Sequence, residues 1–217
     1  MANAYHARAL NVTQDQGVTV LDCIGWPGPT GDMGLRVFFK AGTDHTRLKK
    51  AGEGCITVTD ARSVSGAVVV AGTVAAQTDT VTMALSDGRL TLPVQAPETE
   101  LLEGLNICIA ERNGEPIEVV EDWVNYHVTH FGLQGVVLID RAEPGGPKGF
   151  ARQLRRLTNK SGLQALVHLT CAVPWGREDL PPVSHPFNAP DAPGKDRMGE
   201  LPNDPWSAPW GQSLIHI

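Results

Sequence analysis

Residues 106–140 read NICIAERNGEPIEVVEDWVNYHVTHFGLQGVVLID. The hydrophobic period changes twice inside this stretch. Asn106 to Ala110 is a short apolar run of the kind a buried strand makes. Pro116 suits the first turn of a helix, where its missing N–H costs nothing. Behind it Ile117, Val120, Trp123, Val124, His127, Val128 and Phe131 recur at helical spacing, and Gly132 stands where a C-terminal cap belongs. Gly135 to Asp140 is a second apolar strand. Farther on, 148–160 carries Phe150, Leu154 and Leu157 on one helical face, and Leu163 to Leu169 makes a third strand. Strand, helix, strand, helix, strand within about 70 residues predicts a Rossmann-like, doubly wound α/β half with parallel strands and right-handed connections.

Toward the N-terminus the helical period disappears. Val18–Leu21, Leu35–Phe39, Cys55–Thr59, Val68–Ala71, Thr80–Leu85 and Leu90–Val94 are short and rich in β-branched residues, with glycine-containing turns between them. Asp87-Gly88 between two such runs is a hairpin signal. The expected fold class is therefore α+β: an antiparallel β-sandwich over 1–96, a linker at Gln95–Glu100, and the partial parallel sheet over 101–170. Residues 171–217 hold nine of the sixteen prolines and Trp175, Trp206 and Trp210, a composition expected of a long loop. The closing Ser213 to Ile217 resembles the start of a helix, so the chain is expected to be the N-terminal part of something longer.

The totals narrow the function classes. Of 217 residues, 41% are hydrophobic and 19% charged, which fits a globular protein. A net charge of −6 argues against a nucleic-acid partner, which a basic stripe would announce. No window approaches a membrane span, and the N-terminus lacks the regions of a signal peptide. Cys23, Cys55, Cys108 and Cys171 form no paired motif, so they are expected reduced, in a cytoplasmic protein, and no zinc site is expected.

Ligands of parallel sheets bind beyond the carboxyl ends of the strands. Here that rule selects 110–115, 140–147 and 170–176. Glu111, Asn113 and Glu115 occupy the first of these turns, and their position makes them candidates for a polar ligand. Glu118, Glu121 and Asp122 lie in the first turns of the helix, where its dipole favours negative charge, and are read as surface. Asp140 closes an apolar strand and is either an acceptor for a ribose or base edge or a cap on the next turn. Gly145 to Gly149 lacks both phosphate-loop spacings and is read as a turn. Arg152, Arg155, Arg156 and Lys160 are read as a solvated helix face, and His127 as packed rather than metal-binding. His185, in the proline-rich stretch, is a further candidate. No catalytic residue is assigned.

Ile107 to Glu115, then Glu121-Asp-Trp-Val-Asn-Tyr-His127, then Phe131-Gly132, then Val137 to Asp140, resembles the opening of the family 2-like and family 92-like glycosyltransferases of the GT-A fold. The resemblance covers roughly 105–170. It implies that Glu111, Asn113, Glu115 and Asp140 face the nucleotide of a sugar donor, and that Trp123, Tyr126 and His127 pack the helix. It implies a nucleotide sugar as donor and a glycan or other hydroxyl acceptor. Mg or Mn is expected only in the complete enzyme, whose metal ligands and base would lie beyond Ile217. Two departures stand out: Glu-Arg-Asn-Gly-Glu replaces the family's Lys-Asn-Glu, and Arg141-Ala-Glu-Pro follows Asp140 in place of a second acidic motif. The isolated chain is expected to bind donor weakly without turnover. The rival expectation is a non-catalytic carbohydrate-binding or interaction module with a degenerate α/β part.

Overall fold

The computed structural model describes residues 4–40, 43, 44, 48, 56–64, 67–86, 88–112, 114–140 and 149–173. In chain order the strands are β1 (Ala4–Ala9), β2 (Thr13–Asp15), β3 (Val18–Pro27), β4 (Met33–Phe39), β5 (Thr57–Val64), β6 (Ala67–Val74), β7 (Thr80–Leu85) and β8 (Gly88–Pro93). They are followed by β9 (Ile107–Arg112), α1 (Ile117–Phe131), β10 (Gly135–Asp140), α2 (Phe150–Ser161) and β11 (Ala165–Thr170). The described residues divide into two compact units: 4–10 with 98–173, and 11–97. Mixed α and β structure, with one parallel sheet and separate antiparallel sheets, is as expected from the change of hydrophobic period.

The β unit holds a five-stranded antiparallel sheet, order β2-β3-β4-β6-β5, and the β7-β8 hairpin. Alternate residues point inward from both. Val20, Leu35, Val37, Phe39 and Val70 from the large sheet share one apolar core with Val81, Met83, Leu90 and Leu92 from the hairpin. Trp26 lies across its register partner Gly34, where any Cβ would sit 2.6 Å from the indole. Between Val20 and Asp22 the β3-β4 register shifts, as a bulge requires. Asp22 follows that bulge half-buried, and burial pushes its carboxyl above the ordinary aspartate range, with the Cys23 N–H opposing the rise.

An acid with a raised folded value binds its proton more readily folded than unfolded. Stability is therefore lost as pH rises from the unfolded value through the folded one. Asp22→Asn keeps an oxygen for the Cys23 N–H and cannot ionise. The variant should melt higher than wild type at pH 8, with the gap closing toward pH 3, as thermal denaturation at the two pH values will read.

The α/β unit is a four-stranded sheet, parallel throughout, in the order β1-β11-β10-β9. The β1 strand is the departure from expectation. Residues 4–9 pair with 165–170 over their full length, so the antiparallel unit begins at 11 and the 1–96 boundary moves. Tyr5-His-Ala-Arg-Ala9 has no β-branched residue, and an edge strand tolerates such a composition. The expected linker is also more structured: Gln95 bridges Ile24, and a 3-10 turn spans Thr99–Leu101.

From β9 the strands advance in one direction, so both helices lie on one sheet face, and the doubly wound arrangement is not formed among the described residues. Val120, Trp123 and Val124 of α1 and Phe150, Leu154 and Leu157 of α2 share a core with Val136, Leu138 and Leu166. The α1 helix ends at Gly132 in the left-handed region (φ 62°), the cap that glycine accepts without steric cost. Asn106 completes the cap, its amide donating to the Phe131 and Gly132 carbonyls. Pro116 takes the N-cap position, one residue earlier than expected. No helix among the described residues is long and apolar enough to cross a membrane.

Candidate functional site

The pleat sorts the carboxyl-end residues onto two faces. Cys108, Ala110 and Arg112 of β9 point toward the helices, as do Val136, Leu138 and Asp140 of β10 and Leu166 and His168 of β11. Their register partners agree: Arg112 stands beside Asp140, and Leu138 beside His168. The helix side of the sheet thus changes from apolar to ionic over its last turn of strand.

Arg112 is only 1% exposed. Its Nη1 donates to Asp140 Oδ1 at 2.8 Å, and its Nε donates to the Glu115 carbonyl at 2.8 Å. The guanidinium carbon lies 3.8 Å from the centroid of the Phe150 ring, at the start of α2. Two hydrogen bonds and a cation–π contact fix the plane of the group. Its remaining nitrogen, Nη2, is buried and has no hydrogen-bond partner. An unpaired buried donor costs on the order of 1–3 kcal/mol, more on a charged group, and calls for an explanation.

Asp140, 7% exposed, is held from both sides. While Oδ1 takes Arg112, Oδ2 accepts from His168 Nε2 at 2.8 Å. Nδ1 of His168 is 2.9 Å from the Tyr5 hydroxyl, from strand β1. Phe150 meets the His168 ring edge-on, at 5.9 Å between centroids. Burial pushes the Tyr5 phenol above its ordinary value; the Arg155 guanidinium, 5.4 Å over the ring, opposes this and Asp140 adds to it. The hydroxyl therefore keeps its proton at neutral pH and can donate.

Of the expected site residues, Asp140 occupies the centre of this network. Glu115 joins it through its carbonyl, its side chain being half-buried. Glu111 alternates with Arg112 and so points to the opposite face of the sheet, half-buried. Asn113 lies outside the described residues, as do Gly145–Lys148, His185 and the three C-terminal tryptophans. Glu118 and Asp122 are exposed, and Glu121 pairs with Lys160. His127 donates from Nδ1 to the Trp123 carbonyl at 2.8 Å and lies tilted against that indole, 4.4 Å between ring centroids, the packed role expected of it.

Arg112, His168 and Tyr5 are not among the residues expected from the sequence. A signal existed for two of them: His168 interrupts an apolar strand, and Arg112 has the inward parity of Cys108 and Ala110. Among the described residues, two buried side-chain polar atoms lack a partner, Arg112 Nη2 and Ser161 Oγ. The cleft of about 490 Å³ in the β unit, lined by Gly25, Pro27, Asp32, Met33, Gln77 and Asp79 among others, holds neither. No three His, Cys, Asp or Glu side chains among the described residues are grouped to hold a metal ion, so those residues do not fit a divalent cation.

No protein-family model matches this chain, and no curated protein matches it.

Proposed function

We propose that the α/β unit binds the nucleotide part of a sugar donor, as the donor half of a GT-A-type glycosyltransferase, and that an oxyanion or carbonyl oxygen of that nucleotide meets Arg112 Nη2. The unpaired guanidinium nitrogen carries this reading. It sits at the carboxyl end of a parallel sheet, where such sheets take their ligands. Its orientation is fixed before any ligand arrives, so little ordering cost attends binding. The divalent ion that the resemblance implies finds no ligand set among the described residues. The rival reading, carbohydrate recognition by the β unit, has less support: the large exposed apolar side chains found among the described residues all belong to the α/β unit.

Calorimetric titration with UDP and GDP, with and without Mn, tests the reading. One of the two nucleotides should bind the whole chain with Kd on the order of 0.1–1 mM, about 4–5.5 kcal/mol, whether or not Mn is present. Arg112→Lys loses the planar fork and should weaken that binding about tenfold. Absence of binding by both nucleotides at several millimolar overturns the donor-site reading.

A further inference from the structure

We propose that Tyr5 and His168 are positioning residues, a hydrogen-bonded line from the first strand that holds Asp140, and through it Arg112, in the one orientation that leaves Nη2 for a ligand. The line runs Tyr5 Oη to His168 Nδ1 (2.9 Å), His168 Nε2 to Asp140 Oδ2 (2.8 Å), and Asp140 Oδ1 to Arg112 Nη1 (2.8 Å).

Each link dictates the next. An ionised carboxylate beside a guanidinium can only accept, so His168 Nε2 carries a proton. With Nε2 as the donor to Asp140, Nδ1 faces the Tyr5 hydroxyl, which can supply a proton to a lone pair there. Two contacts on the imidazole, one at each nitrogen, prevent the ring from flipping or changing tautomer. A ring so fixed leaves Asp140 Oδ2 in place, and a carboxylate anchored at Oδ2 presents Oδ1 to Nη1. The His168 contact at Oδ2 opposes a turn of the carboxylate that would bring both terminal guanidinium nitrogens into a fork and consume Nη2. Neither Tyr5 nor His168 is placed to touch the ligand; both act through Asp140.

Tyr5→Phe removes one oxygen and keeps the ring over which Arg155 lies. In the ¹⁵N spectrum of the wild-type chain, His168 should show a single tautomer protonated at Nε2. Tyr5→Phe should give a mixture of tautomers, and exchange of the Arg112 Nε proton should quicken at least threefold. Amide exchange in α1 should stay unchanged, which separates positioning from a general loosening of the unit. His168→Gln, which keeps a donor near Nε2, should hold Arg112 Nε exchange closer to wild type than His168→Leu does.

Affinity for UDP, or for GDP where that is the nucleotide that binds, is the second readout, and only it rests on the donor-site reading. Tyr5→Phe should raise Kd about fivefold. Unchanged His168 and Arg112 signals in Tyr5→Phe overturn the positioning role, whether or not a nucleotide binds. Altered signals in a chain that binds no nucleotide sustain the positioning role and remove the donor reading instead. Altered signals with nucleotide affinity the same in wild type and Tyr5→Phe overturn the link to the ligand.

Discussion

Arg112→Met should destabilise the α/β unit by about 3–5 kcal/mol, the loss expected when one partner of a buried ion pair is removed. The methionine side chain can fill much of the space over Phe150, so cavity formation contributes little. What remains is Asp140, 7% exposed, with its Oδ1 stripped of the Arg112 donor 2.8 Å away. A carboxylate in that setting either takes up a proton or loosens the strand ends to reach water. Urea denaturation followed by hydrogen exchange of the β10 amides will read the change within the correct unit. Adding Asp140→Asn should return part of the loss, because an amide needs no cation. Equal unfolding midpoints for wild type and Arg112→Met would contradict a buried, paired Arg112.

Removing residues 1–10 should have the larger effect. Strand β1 pairs with β11 from Ala4↔Ala165 to Ala9↔Thr170, and Leu10 N–H adds a bond to the Thr170 carbonyl. At a net value of about 1 kcal/mol for each backbone hydrogen bond, the strand contributes several kcal/mol before any burial is counted. Whole domains are stable by only about 5–15 kcal/mol. The deletion also exposes the flank of β11, where Leu166 and Val167 are buried, and removes the Tyr5 hydroxyl from His168. The shortened chain should show no cooperative melting of the α/β unit by calorimetry. A synthetic peptide of residues 1–10, added in excess, should restore it in part. A truncated chain that melts like the parent would show that β1 is dispensable.

The sequence was most legible where the signal is local. The helical stripe from Ile117 to Phe131, its Gly132 cap and the apolar strands expected at 135–140 and 163–169 depend on neighbours a few residues away, and the structure forms them there, the last strand over 165–170. Strand β1 has no such signal. Its six residues become a strand only because β11 lies alongside, and long-range pairing leaves no local period. The site was legible in place but not in membership. Choosing by position at strand ends found Asp140. It also chose Glu111, which the pleat turns to the other face, over Arg112, which the same pleat turns toward Asp140. Counting parity from Ile107 separates the two, because residues two apart share a face. The contribution of Tyr5 was beyond such counting, since its partner is 163 residues away.

That separation bears on how the chain is made. Among the described strands of the parallel sheet, β1 leaves the ribosome before the others and its partner β11 after them. Domains commonly fold as units during synthesis, at roughly 5–20 residues per second, so the β unit can be complete well before β11 emerges. Arg8 and Glu98, which flank that unit, are joined by an ion pair, so its entry and exit lie close together. A unit folded with its ends adjacent turns an 87-residue detour (11–97) into a short bridge, and most of the loop-closure entropy of bringing β1 to β11 is then already spent. The parallel sheet would in that case behave kinetically as a chain of far lower contact order than its numbering suggests.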